Sequence, residues 1–75
     1  MFAIDLIYEL TISERDFRSN GFLYSEKFMK AIHVVSSMVR SRKDEMEILS
    51  YIKDFYILDL NDPVRFELLK QRLHI

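Results

Sequence analysis

One glycine and one proline in 75 residues constrain this chain more than any other feature. Strand-rich folds reverse direction often, and their turns draw on glycine and proline for the backbone angles other residues avoid. A chain with Gly21 and Pro63 alone has material for few reversals, so a few long helices are expected. Cysteine is absent, which excludes disulfides and thiolate-held metals. About half the residues are hydrophobic and the formal net charge is −1, a balance that favours folding over disorder and argues against a strongly basic nucleic-acid coat. No apolar run approaches the roughly 18 residues a membrane span requires. The stretch Met1–Ile12 lacks the basic start of a secretory signal, and Asp5 and Glu9 interrupt it, so a cytoplasmic location is expected.

The first segment fits two periods. As a strand, Phe2, Ile4, Leu6, Tyr8, Leu10 and Ile12 share one side. As a helix, Ala3, Leu6, Ile7, Leu10 and Phe17 form one face, with Asp5, Glu9, Ser13 and Asp16 opposite. The pattern reaches Phe17, which is long for a strand, and then meets Asn20-Gly21-Phe22. That run suits a helix stop with Gly21 left-handed and Phe22 packing back; the same Asn-Gly pair also suits a hairpin turn.

The later segments are helical in period. Phe28, Ile32, Val35 and Val39 recur at helical spacing, flanked by Ala31 and Met38, with Ser25 as the expected N-cap and Tyr24 and Met29 as a staple. Ser41 is read as the cap of a third helix bearing Ile48, Ile52 and Phe55, with Met46, Leu49 and Tyr56 beside them. Tyr56-Ile57-Leu58 suits either a last helical turn or a short strand. Asp62-Pro63 marks the sharpest boundary, a cap followed by proline at the first helical position. Phe66, Leu69 and Leu73 follow, with Val64 and Leu68 adjacent.

The expected fold is therefore an all-α compact bundle of three to four short helices within one small domain, over residues 3–19, 25–40, 43–58 and 63–73. The alternative is an α+β chain with a long N-terminal strand followed by helices.

Charge alternates along the chain. Residues 1–24 carry four acids and two bases, for −2. Residues 25–43 carry five bases and one acid, for +4. Residues 44–62 carry six acids and one base, for −5, and residues 63–75 carry three bases and one acid, for +2. A basic second helix beside an acidic third suits antiparallel packing with complementary rims. The same alternation suits contact between copies.

Motifs for chemistry are missing. A Gly-x-Ser-x-Gly elbow is impossible with one glycine. His33 and His74, the two histidines, stand in no zinc-binding spacing, and His33 reads as a helix residue at the edge of the core. Gly21 alone makes no phosphate-cradling loop. No catalytic residue, metal or cofactor is expected, and the chain reads as a non-enzyme. Six Phe, four Tyr and four Met are a heavy apolar load for a core this small, because short chains bury a modest share of their surface. Part of that load is expected to face a partner, another protein or a second copy in a dimer. Phe2, Tyr8, Phe17, Phe22, Tyr24 and Tyr51 lie beside the core stripes and are the expected anchors. The expected role is a self-associating regulator or inhibitor of another protein. The alternative is a dimeric DNA-binding transcriptional regulator, contacting nucleic acid through Arg40, Arg42 and Lys43.

Overall fold

A computed structural model describes the backbone of residues 2–17 and 22–75, and the side chains of residues 3–16 and 25–75. The fold is all-α. Helix α1 spans Phe2–Phe17, α2 Phe22–Arg40, α3 Glu45–Asp54 and α4 Pro63–Leu73, and a π turn, Phe55–Asp59, extends α3. Among the described residues there is no strand, and no helix is long and apolar enough to cross a membrane. The molecule measures 32 × 22 × 20 Å.

The first segment resolves as a helix. Leu6 and Leu10 are fully buried, whereas Ile4 and Tyr8 are more than half exposed. The alternating set that suits a strand is thus split between core and water, as a helical period requires. The α+β alternative is overturned, and the expected all-α bundle stands.

Helix α2 packs most extensively on α1, not on α3. Its Phe28, Ala31 and Val35 meet Leu6 and Leu10 of α1 in one core with Ile48 and Ile52 of α3 and Phe66 and Leu69 of α4. It begins at Phe22, three residues before the expected cap. Ser25 therefore sits inside the helix, and its hydroxyl donates to Glu14 Oε1 at 2.7 Å. Glu14 is a carboxylate only 4% exposed. Burial of a charge is tolerable only with polar partners, and Ser25 supplies one across the α1–α2 interface. The staple reading is not sustained at Met29, which is half exposed; the Tyr24 side chain lies outside the described residues. Gly21, the expected left-handed stop, and the Phe22 side chain also lie outside them.

The described helix ends after α2, the π turn and α4 are made without glycine. After α2 the Arg42 N–H donates to Val39 O at 3.0 Å and the Lys43 N–H to Met38 O at 3.0 Å, the paired bonds of a Schellman close. Arg42 takes the left-handed position, at φ 56°. After α4 the His74 N–H donates to Gln71 O at 3.2 Å and the Ile75 N–H to Lys70 O at 3.0 Å, with His74 at φ 59°. Asn61 is left-handed after the π turn, at φ 53°. Ser41 thus closes α2 and does not open α3. Asp44 caps α3 instead, accepting from the Met46 N–H at 3.2 Å. Asp62 caps α4 as the sequence predicts, accepting from the Arg65 N–H at 3.1 Å, with Pro63 in the first turn.

The π turn decides how the core closes. The Leu60 N–H reaches back five residues to Phe55 O at 3.0 Å, so the turn holds one residue more than an α turn. Phe55 and Tyr56 are both buried as a result. Phe55 lies edge-on to Phe28 with centroids 5.2 Å apart, and Tyr56 packs between Phe28 at 6.1 Å and Phe66 at 6.2 Å. Edge-to-face aromatic contacts add roughly 0.5–1.5 kcal/mol each beyond area burial.

Candidate functional site

Helix α4 organises the candidate interaction surfaces, because each of its sides meets something different. Its inner side buries Phe66 and Leu69, with Leu73 partly buried behind them. Its outer side carries Val64, 67% exposed, and one turn later Leu68, 45% exposed; Ile75, just past the helix, is 49% exposed. A helix that is apolar on opposite sides fits a position between two partners better than one against a single core. The sequence places Val64 and Leu68 beside the core stripe. The signal for their separate face was the four-residue step between them, offset from Phe66, Leu69 and Leu73.

Toward α1, α4 is sealed by polar groups. The Arg72 Nη1 donates to Glu9 Oε2 at 3.1 Å, and Glu9 is largely shielded while Arg72 is more than half exposed. Ser13 and Tyr56 line the same small space nearby. Burial pushes the Tyr56 phenol above its usual range; Ser13 and the guanidiniums of Arg65 and Arg72 oppose that shift, and Glu9 adds to it. Arg65 is held back onto its own N-terminus by Asp62, at 2.9 Å. The space left among these groups, edged also by Leu68 and Leu69, is about 30 Å³, room for roughly one water.

Toward α3 the packing is open. A groove of about 380 Å³ separates α4 from α3 and the π turn. Leu49, Ile57 and Phe66 line its apolar part, with Met46, 70% exposed, at the α3 start. Lys53 and Ser50 stand on the α3 wall, and Glu67 and Lys70 on the α4 wall. The Lys70 ammonium lies 5.6 Å from the Phe66 ring centroid and 3.8 Å from the Glu67 carboxylate.

A second groove, about 400 Å³, runs between α2 and the π turn. Lys27, Lys30 and Val34 face Tyr51, Phe55 and Asp59 across it. The Lys27 Nζ donates to the Asp59 carbonyl at 3.1 Å. Tyr51 is half-buried against the core, and its phenol is pushed up first by burial and then by the Asp59 carboxylate.

The sequence-predicted anchors fall in different places. Tyr8 is 66% exposed on the outer side of α1, while Tyr51 lines the α2 groove. The side chains of Phe2, Phe17, Phe22 and Tyr24 lie outside the described residues. Arg40, Arg42 and Lys43 are exposed together at the α2–α3 connection, where Asp44, Glu45 and Glu47 follow at once at the start of α3. His33 is exposed on α2 and not at the core edge. Among the described residues no three of His, Asp and Glu come together in a group able to hold a metal. No protein-family model matches the chain, and comparison with curated proteins and with solved structures gave no match either.

Proposed function

We propose that this chain is a small non-enzymatic interaction protein that associates with itself and, as a dimer, regulates or inhibits another protein. One observation carries the reading: α4 is apolar on its outer side, at Val64, Leu68 and Ile75, as well as on the side that fills the core. Burying such a stripe against its own kind removes apolar surface from both copies at once, and a twofold contact needs only one self-complementary patch. Tyr8, broad and exposed on α1, is a suitable anchor for the further partner, since tyrosines supply large contact area at low rotamer entropy.

Molar mass by light scattering after size exclusion, across a range of concentrations, tests the association. The expected result is a dimer mass for the natural chain. Val64→Lys with Leu68→Lys shifts it to a monomer while the helical circular dichroism stays unchanged. A monomer at every concentration rejects self-association. Tyr8→Ala leaves both the mass and the helicity intact if Tyr8 serves the other partner.

A further inference from the structure

We propose that the groove between α3 and α4 is a binding site for a monoanionic amphiphile, a medium-chain acyl carboxylate. The inference is independent of the dimer reading, because the groove lies on the α3 side of α4 and does not use Val64, Leu68 or Ile75.

Three observations set the ligand's chemistry. The groove's volume, about 380 Å³, falls at the lower end of the size that small-molecule sites occupy. Its lining is mainly aliphatic and aromatic, from Leu49, Ile57 and Phe66, which suits a flexible hydrocarbon tail. Its charge is cationic and small: Lys53 and Lys70 face it from opposite walls, and Glu67 offsets one of them, leaving one positive charge. That excess matches one carboxylate and disfavours a dianionic headgroup. Lys53 makes no ion pair among the described residues, so its ammonium needs no rearrangement to meet the ligand.

The topology sets the orientation. The π turn joins α4 through residues 60–62, so Ile57 and Pro63 stand at the connected end of the groove, with Lys53 one turn from Ile57, and Met46 and Lys70 stand toward the other end. A carboxylate beside Lys53 leaves its tail to run along Leu49 toward Met46. A groove joined at one end accepts a chain end more readily than the continuous side of a protein helix, which favours the small amphiphile over an acidic peptide.

Titration of the full chain with decanoate, below its micelle concentration and followed by the Met46 methyl resonance, tests the proposal. Saturable binding that moves this resonance is expected. Lys53→Gln with Lys70→Gln weakens it tenfold or more at unchanged circular dichroism, and Lys27→Gln with Lys30→Gln, in the other groove, leaves it unchanged. Decanol and decyltrimethylammonium bind at least tenfold more weakly. Equal binding of decanol removes the role of the lysines and overturns the proposal, as does loss of binding in the Lys27/Lys30 variant alone. No saturable decanoate binding also overturns it. So does binding of an acidic amphipathic peptide where decanoate fails, which assigns the groove to a protein partner.

Discussion

The two flanks of α4 are closed by opposite means. Toward α1, polar side chains meet across the gap: Glu9 pairs with Arg72 of α4, Ser13 and Arg65 stand beside Tyr56 of the π turn, and little space remains. Toward α3, apolar residues line both walls, yet the walls stand apart around a groove more than ten times larger. Polar complementarity therefore fixes one flank of this helix, and its apolar groups are left partly unsatisfied on the other. In so short a chain the core cannot use every large side chain, and the surplus collects where no short polar pair draws the helices together.

Removing apolar volume sharpens this contrast most. Leu69 is buried between the polar flank and the core, and Leu69→Ala is expected to destabilise by about 2–5 kcal/mol. Leu49 lines the open groove, where its side chain already meets water, and Leu49→Ala is expected to cost about 1 kcal/mol. Urea unfolding of both variants measures the difference. Comparable losses would mean that the groove is closed in solution.

Breaking the polar flank has a smaller effect with a pH signature. Tyr56→Phe removes the buried phenol hydroxyl beside Ser13, for about 0.5–1.5 kcal/mol at neutral pH. The folded protein raises the Tyr56 phenol above the value near 10 that it has when unfolded. The folded state thus holds that proton more tightly. Its stability contribution is complete below pH about 10 and is lost as pH rises through the folded value. Alkaline unfolding curves of the Phe variant should fall less steeply, with the remaining slope coming from Tyr51, which is raised in the same sense. An identical alkaline slope would place the Tyr56 hydroxyl in water.

The ion pair itself contributes least. Arg72 is more than half exposed, so a double-mutant cycle of Glu9→Gln and Arg72→Gln is expected to give a coupling of about 0.2–1 kcal/mol, reduced by added salt. A coupling insensitive to salt would mean a drier flank than its exposure indicates.

Much of the frame is legible in the sequence, for local reasons. Asp62 and Pro63 act within one turn of each other, so the start of α4 is written in adjacent residues. The core stripes of α2 and α3 follow from spacing alone. What escapes is set by distant partners. Ser25 looks like a cap because its neighbours permit it, but Glu14, eleven residues away, takes its hydroxyl. The π turn has no local signature at Tyr56-Ile57-Leu58; it forms where Phe55 and Tyr56 must both turn inward to meet Phe28 and Phe66. Of the surfaces around α4, the outer stripe was present as a spacing. The groove depends on how far two helices stand apart, which no spacing encodes.

The helix stops at Arg42, Asn61 and His74 bear on the unfolded chain as much as on the folded one. A left-handed non-glycine residue costs roughly 1–2 kcal/mol in the native state. Glycine would remove that strain but would widen the unfolded ensemble, returning roughly 0.4–1 kcal/mol of the gain as conformational entropy. The entropy offsets only about half of the strain. A sequence with a single glycine thus accepts strained corners when folded and recovers part of their cost by wandering less when unfolded.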